Sequence, residues 1–240
     1  MSAPDFTGKT VVITFGTTGL GPAIAQRLAA AGAQVVVAGP GGTDAAGVGQ
    51  GRCRPLDVRV AEECEAFVRD VLDEFGSLDV WINGLPALND SQDAETVETH
   101  VWDDSLALGL TGAFHCSRAA GRHMLSTGRG VIVNLSLGIG RHPVQGLAVD
   151  SVVSGALVTL TKALGIEWAP RGVRVVGVAT GPLDIAPDIY GDVAVRTPLR
   201  RRGTPAEVAE AVLHLASDDA DFITAETLPV DGGWRSYQMF

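Results

Sequence analysis

Asp150 and Ser154 are the residues whose types and spacing most directly indicate chemistry. They stand four residues apart on a predicted helix that begins at Val149, so both side chains lie on one face of that helix. A carboxyl group flanked by Leu137, Val149 and Val153 is expected to be partly desolvated, which raises its pKa toward neutrality. An acid of that kind suits proton transfer, so Asp150 is a candidate catalytic acid or base and Ser154 a candidate catalytic partner.

Two further polar residues precede that helix. Ser136 ends a predicted strand and is a third candidate catalytic residue, and His142 follows in the loop as a candidate substrate contact. Ser136, His142 and Asp150 form a conceivable hydrolytic triad, but no nucleophile elbow or oxyanion loop accompanies them, which disfavours it. The simpler alternative is that Asp150 stabilises the helix N-terminus, Ser154 is a small filler and His142 is a surface loop residue.

The elements that must position these residues alternate between strands and helices. Val11–Thr14 is a β-branched run typical of a strand buried on both faces, and a Gly-rich turn follows it as far as Gly21. A helix and a second buried strand, Val35–Val37, complete a βαβ unit, which is right-handed and enters a parallel sheet. The stretch 39–51 is too rich in Gly for a helix and is predicted to be a loop.

The remaining elements follow the same alternation. The predicted helices are 61–74, 101–126, 149–168 and 205–216. The predicted strands are 78–83, 131–136, 173–178 and 227–230. Residues 181–202 are interpreted as an irregular lid over a substrate cleft. Because no internal repeat, linker or low-complexity tail interrupts the pattern, residues 1–240 are predicted to form a single domain.

Composition and charge argue against several classes of protein. Hydrophobic residues make up 46% and charged residues 19% of the chain, which indicates a folded globular protein. The formal net charge of -10 argues against a nucleic-acid partner or an anionic membrane surface. The three cysteines lack metal-ligand spacing and are expected to be reduced thiols, and no metal site is predicted. No apolar run approaches the ~18 residues of a membrane span, so a cytoplasmic protein is expected.

Three runs in the second half of the chain are specific enough to indicate a family. They are GVRV from Gly172 to Val175, GTPAEVAEAVLHLASDD from Gly203 to Asp219, and LPVDGGW from Leu228 to Trp234. With them the chain resembles the short-chain dehydrogenase/reductase family over 9–234. The resemblance implies an α/β fold of the three-layer αβα Rossmann type, with a doubly wound, mostly parallel seven-stranded sheet. It also implies NAD(P)(H) binding, hydride transfer to or from a carbonyl, and a homo-oligomer, either dimer or tetramer.

The family's dinucleotide motif is only partly kept. Its turn, Thr-Gly-x-x-x-Gly-x-Gly, has its Thr and last two Gly residues here, but Phe15 replaces the first Gly and either occludes the cofactor or is an extra core aromatic. Pro86 replaces another Gly that allows close approach of the cofactor. The predicted cofactor-binding residues are Thr14, Gly16, Thr17, Gly19, Gly21, Asp57 and Asn83. With these replacements no cofactor is the first expectation, and weakened NAD(P)(H) binding is the second.

The four catalytic side chains of the family are all replaced in this register. Leu137 stands at the position of its Ser, Asp150 at that of its Tyr, Ser154 at that of its Lys and Gly109 at that of its Asn. Neither of the two tyrosines of the chain precedes a Lys by four residues. Catalytic groups that act as a unit lose most of their effect when members are removed. Family-type hydride transfer is therefore expected to be lost.

Three functions remain open. The first expectation is a non-redox enzyme of cyclase, lyase or isomerase type that acts on a small organic substrate in the former active-site cleft, with Asp150 as acid or base. The second is a catalytically silent homologue that serves as a binding or structural subunit, pairing with an active relative. The third is an atypical NAD(P)H-dependent ketoreductase with an unusual proton source. The predicted substrate-cleft residues are Leu137, His142, Gly181 and Tyr190.

Overall fold

The computed structural model describes residues 4–39, 52–185 and 197–236. The strands are β1 (Thr10–Thr14), β2 (Gln34–Gly39), β3 (Arg52–Pro55), β4 (Val80–Asn83), β5 (Gly130–Leu137), β6 (Val173–Thr180) and β7 (Thr227–Val230). The helices are α1 (Gly21–Ala30), α2 (Ala61–Phe75), α3 (Thr99–Leu106), α4 (Gly112–Thr127), α5 (Ala148–Trp168) and α6 (Pro205–Ala216).

The strands form one seven-stranded sheet in the order β3-β2-β1-β4-β5-β6-β7. Each neighbouring pair in that order is parallel. The chain moves outward from β1 through β2 to β3, and then returns to build the other half of the sheet from β4 onward. The predicted α/β class, a doubly wound parallel sheet in a single three-layer domain, is confirmed.

Apolar side chains on both faces of the sheet explain the three layers. On one face, Ile24 and Leu28 of α1 and Val212 of α6 pack against alternate residues of β1, β2 and β5. On the other face, residues of α2, α4 and α5 cover the intervening strand residues, among them Val12 and Trp81. Because the central strands are buried on both faces, their sequences are continuous apolar runs rather than alternating ones.

The predicted helix 101–126 is divided in the structure. A π-helical turn, Ala107–Thr111, separates α3 from α4. Gly109 lies in this turn, and a Cβ placed on it would be 2.6 Å from the Cγ1 of Val153 on α5. The turn therefore lets the backbone of this segment approach α5 closely, which a larger residue at Gly109 would prevent.

Helix α5 corrects one expectation about membrane segments. Ala148–Arg171, which is α5 and its short extension, is the one stretch among the described residues long and apolar enough to cross a membrane by length and composition. Half of its most apolar window is buried inside the protein. Its packing against β5 and β6 accounts for that composition, so α5 is read as the core helix of a soluble domain.

Two predicted irregular segments fall largely outside the described residues. The loop predicted over 39–51 has only Gly39 within them, as the last residue of β2. Of the predicted lid, 181–202, residues 186–196 lie outside them. The two ends of the lid are joined where Leu183 pairs with Gly203 in an isolated parallel bridge.

Candidate active site

The carboxyl ends of the central strands open on a cavity of about 360 Å³. Its walls are Thr18, Gly19, Leu20, Leu85, Pro86, Ala87, Leu88, Leu137, Thr180, Gly181, Leu183 and Ile185. The cavity extends from the turn after β1 across the segment after β4 to the ends of β5 and β6. The order of the strands reverses between β1 and β4, and ligands of open parallel sheets bind in the crevice at such a point.

The Gly-rich turn at the start of α1 is shaped to admit a phosphate group. A Cβ on Gly21 would collide with the backbone of Gly16, and a Cβ on Gly16 would be 2.7 Å from the Cγ1 of Val37. Gly19 has φ +57°, and a Cβ there would meet nothing within 4 Å. No side chain caps the N-terminus of α1 and no acidic residue lies in its first turn. The start of α1 therefore fits the pyrophosphate of a dinucleotide.

Phe15 adopts the turn conformation that a Gly would otherwise supply. Its φ is 53°, although it carries a large side chain. The backbone N–H of Gly84 donates a 3.0 Å hydrogen bond to the Oγ1 of Thr14, so the ends of β1 and β4 are joined beside Phe15. Thr14, predicted to bind a cofactor, is buried and uses its hydroxyl for this link. Thr17 lies half-buried in the same turn.

The carboxyl group of Asp150 contacts the segment after β4, part of which lines the cavity. The side-chain Nδ2 of Asn89 donates a 3.2 Å hydrogen bond to the Oδ1 of Asp150 and a 3.0 Å hydrogen bond to the Oγ of Ser105. Asn89 directly follows Leu88, which lines the cavity. Burial raises the pKa of Asp150, and the hydrogen bond from Asn89 opposes that rise. Asn89 thus orients the carboxyl group, and burial makes that group easier to protonate than an exposed Asp.

Ser154 lies one helical turn after Asp150 and also meets the cleft wall. Its Oγ accepts a 3.3 Å hydrogen bond from the backbone N–H of Leu137, a residue that lines the cavity. This bond ties α5 to the carboxyl end of β5. Asp150 and Ser154 are not among the residues that line the cavity, but each contacts a segment that does, Asp150 through Asn89 and Ser154 through Leu137.

Ser136 and His142 are not joined to Asp150 in a triad. The buried Oγ of Ser136 and the Nδ1 of His142 have no hydrogen-bond partner among the described residues, and the side chain of Asp150 accepts a hydrogen bond from Asn89. His142 is half-buried on the loop before α5. Among the predicted cleft residues, Leu137 and Gly181 line the cavity, and Tyr190 lies outside the described residues.

Asn83 stands at the centre of a buried hydrogen-bond network. Its Oδ1 accepts from the Nε1 of Trp81 at 2.9 Å, and its Nδ2 donates to Ser117 and to the Oδ1 of Asn134 at 2.7 Å. Asn134 in turn donates to the Oγ1 of Thr161 on α5 at 2.9 Å. The amide that was predicted to bind a cofactor is engaged within the protein, where it joins β4, β5, α4 and α5.

Asp57 lies in a turn and forms an ion pair with Arg59. Its carboxylate accepts hydrogen bonds from the backbone N–H of Arg59 at 3.0 Å and from the guanidinium of Arg59. These hydrogen bonds lower the pKa of Asp57. Asp57 follows β3 at the same edge of the sheet as the other predicted cofactor residues, so its place is compatible with a dinucleotide there.

Asn89 and Ser105 were not predicted from the sequence. Asn89 is 61 residues from Asp150 and lies in the segment after β4, so no local spacing connects them. Ser105 is on α3, where its Oγ donates to the backbone carbonyl of Val101 at 2.7 Å. As for metals, no group of three or more His, Cys, Asp or Glu side chains is clustered within the described ranges.

A doubly wound parallel sheet with a Gly-rich turn after its first strand and a cavity at its switch point defines a Rossmann-type fold. A family model described as Enoyl-(Acyl carrier protein) reductase matches residues 16–235. The chain belongs to the short-chain dehydrogenase/reductase family.

Named relatives and solved structures agree with this membership. The chain is 33% identical to the cis-4-hydroxycyclohexanecarboxylate dehydrogenase of Sinomonas cyclohexanicum, over 96% of this chain and 98% of that one. It is 32% identical to the 3-oxoacyl-(acyl-carrier-protein) reductase FabG of Vibrio cholerae, over 94% and 97% of the two chains. The crystal structure of a short chain dehydrogenase from Bacillus anthracis is similar with a TM-score of 0.89 at 28% identity, over 97% and 99% of the two chains.

These similarities correct two expectations. A non-redox cyclase, lyase or isomerase is the wrong prediction, because the relatives are named dehydrogenases and reductases. The expectation that no cofactor binds is wrong for the same reason. From the sequence, Phe15 was expected either to occlude the cofactor or to be an extra core aromatic, and Pro86 to hinder its close approach. In the structure Phe15 itself takes the positive φ of the turn, and Pro86 is part of the cavity wall.

Proposed function

We propose that this protein is an NAD(P)(H)-dependent oxidoreductase that interconverts a small ketone and the corresponding alcohol, with Asp150 as its proton donor and acceptor. The observation that carries the proposal is the Asn89–Asp150 hydrogen bond beside the cavity at the switch point of the sheet. It provides an oriented acid where substrate and nicotinamide would meet. The names of the relatives support the redox class of the reaction.

The dinucleotide would be held by the first half of the sheet. The turn that contains Gly16, Thr17 and Gly19, with the start of α1 at Gly21, would hold the pyrophosphate. Asp57, after β3, would contribute on the adenosine side. The bound nicotinamide supplies or accepts the hydride. The cavity residues at the ends of β5 and β6 would border the substrate, and the apolar ones exclude water from the reacting carbonyl.

Asp150 supplies the proton in this proposal. During reduction its protonated carboxyl group gives a proton to the substrate oxygen, while the carbonyl carbon receives the hydride, so ketone becomes alcohol. During oxidation the carboxylate takes the hydroxyl proton. Burial favours the protonated form, and the hydrogen bond from Asn89 keeps one oxygen in place. Ser154 positions the cleft wall through the backbone of Leu137.

We further propose that this chain works without the family's Asn, Ser, Tyr and Lys tetrad. Support comes from the sequence, in which Gly109, Leu137, Asp150 and Ser154 occupy those positions. A Cβ at Gly109 would also press on Val153, so the π-helical turn is fitted to a residue without a side chain. An acid on α5 would then replace the phenol, and no Lys is required to lower the pKa of a carboxyl group.

We propose a homo-oligomer located in the cytoplasm, with a small molecule as substrate and residues 181–202 as the lid of the cleft. Partly exposed apolar side chains on α3, α4 and α5 support the assembly: Trp102, Phe114 and Val152. A mixed assembly with a related subunit would use the same surface. Light scattering of the purified chain, alone and after mixing with a relative, separates the two arrangements.

The test of the proposed function has two parts. First, calorimetric titration of the full chain with NADH and with NADPH measures cofactor binding. Second, a panel of cyclic and open-chain ketones is screened by the loss of reduced-nicotinamide absorbance. The proposal expects saturable binding of at least one cofactor and turnover of at least one ketone, with turnover lost in Asp150→Asn. Binding without turnover of any ketone or alcohol would favour a silent binding subunit instead.

A further inference from the structure

Phe15 adopts an unfavourable backbone conformation at a central position of the fold. Its φ of 53° lies in the left-handed region, which a residue with a bulky side chain rarely adopts. Gly occupies this conformation without steric cost. Residues held in such conformations concentrate at ligand sites, where the surrounding structure maintains them. The position of Phe15, directly after β1 at the switch point, is consistent with that pattern.

Glycines on both neighbouring strands leave room for this residue. A Cβ on Gly84, after β4, would collide with the carbonyl oxygen of Thr14 and lie 3.4 Å from the Cβ of Phe15. A Cβ on Gly39, at the end of β2, would be 4.0 Å from the Cα of Phe15. The side chain of Phe15 therefore lies between the ends of β2 and β4, where Gly39 and Gly84 have no side chains.

Phe15 lies next to the end of β2, in the first half of the sheet. It is half-buried and packs against the core cluster that includes Ala38 of β2 and Leu56 and Val58 after β3. In a doubly wound sheet the strands before the switch point hold the adenosine half of a dinucleotide. Because Phe15 lies next to the end of β2 and is only half-buried, its exposed part lies at the end of the sheet where an adenine base would bind.

We propose that the ring of Phe15 is an aromatic platform on which the adenine base of the dinucleotide stacks. This inference rests on the proposed function, since it needs a bound dinucleotide. A flat aromatic ring offers a base its π face, and base–aromatic stacking contributes binding free energy regardless of the hydrogen bonds made by the base edge. The binding free energy from stacking would offset the steric cost of the backbone conformation of Phe15.

The test compares ligands with and without adenine in matched variants. Calorimetry gives the Kd of ADP-ribose, which contains adenine, and of reduced nicotinamide mononucleotide, which lacks it. Phe15→Leu keeps an apolar side chain but removes the ring, and Phe15→Tyr keeps the ring. Phe222→Leu is the matched control, because the side chain of Phe222 is fully exposed. Melting temperatures confirm that each variant folds, and Phe15→Met replaces Phe15→Leu if the latter does not.

Phe15→Leu is expected to weaken ADP-ribose binding by about tenfold or more, the range of alanine-scan stacking losses. Phe15→Tyr and Phe222→Leu should bind ADP-ribose as the wild type does, and the mononucleotide should bind all variants equally. Equal or tighter ADP-ribose binding by Phe15→Leu would overturn the platform alone. Failure of the wild type to bind NADH, NADPH and ADP-ribose would overturn the platform together with the proposed function.

Discussion

The side-chain amide of Asn89 donates a hydrogen bond of 3.2 Å to the carboxyl group of Asp150. This contact joins the segment after β4 to the first turn of α5 at the side of the cavity. The same amide group reaches Ser105 on α3 at 3.0 Å. Two positions that are far apart in the sequence thus combine to orient one acid, and the account of the reaction depends on that acid.

Replacement of Asp150 by Asn should abolish proton transfer while the fold is kept. We expect kcat/KM for ketone reduction to fall by about 10²–10⁴-fold, the usual contribution of a positioned general acid. The Kd for NADH or NADPH should not change, because Asp150 is not part of the turn that would hold the pyrophosphate. Steady-state kinetics and calorimetry measure the two quantities. Asp103→Asn, on the exposed surface of α3, is the matched control.

The pH dependence of folding stability gives a second test of Asp150→Asn. Burial raises the pKa of Asp150 above its ordinary value of 3.8, so the folded state favours the protonated form. Asp150 therefore contributes to the stability of the folded state below pH 3.8, and this contribution is lost as the pH rises through its raised pKa. Asp150→Asn should be no less stable than the wild type near neutral pH. A large loss of stability at neutral pH would mean that Asp150 is mainly structural.

Replacement of Asn89 by Ala should move the pH profile of reduction. Reduction needs protonated Asp150, so kcat/KM falls as the pH rises through the pKa of this residue. The hydrogen bond from Asn89 lowers that pKa, and its removal should move the falling limb to higher pH. A pH series of kcat/KM measures the limb. A limb that stays in place, or moves to lower pH, would contradict the assignment of Asp150 as the acid.

The buried amide network should matter for stability. Asn134→Ala removes the partners of Asn83 and Thr161, which lie 2.7 Å and 2.9 Å away. Buried groups that lose a partner cost about 1–3 kcal/mol each, so we expect the free energy of unfolding to fall by about 2 kcal/mol or more. Denaturant unfolding measures the change. Asn89→Ala is the comparison, and an equal loss in the two variants would contradict a special role for the network.

The start of α6 should give an acid-dependent stability. Glu207 accepts hydrogen bonds from Arg201 and from the backbone of Thr204, which lowers its pKa from 4.5 to about 2. A depressed pKa stabilises the fold above pH 4.5, and this contribution is lost as the pH falls toward 2. Unfolding of Glu207→Gln across that range should lose less stability than the wild type. Parallel curves for the two proteins would contradict this prediction.

Much of the fold could be read from local pattern. The predicted bounds of α6 and β7 agree with the structure, because a capping box at Thr204 and Glu207 and a Pro in the first turn mark the start of α6. Strand β3 has the sequence RCRP and no apolar run, and its identity comes from pairing with β2. The division between α3 and α4 depends on close contact between Gly109 and α5, which no local pattern shows.

The site was only partly predictable. The shared face of Asp150 and Ser154 follows from helical spacing, and the raised pKa of Asp150 follows from its apolar neighbours. Asn89 could not be found, because its contact with Asp150 depends on how the segment after β4 meets α5. The backbone conformation of Phe15 could not be predicted, because a sequence does not show that a residue other than Gly adopts the left-handed conformation.

Transfer of deuterium from the cofactor tests the central claim most directly. The full chain is incubated with reduced cofactor that carries deuterium at the transferable position of nicotinamide, together with the ketone panel, and the products are analysed by mass spectrometry. The account predicts an alcohol with one deuterium on the former carbonyl carbon for the wild type, and almost none for Asp150→Asn. Unlabelled products only, or equal labelling rates in the two proteins, would contradict it.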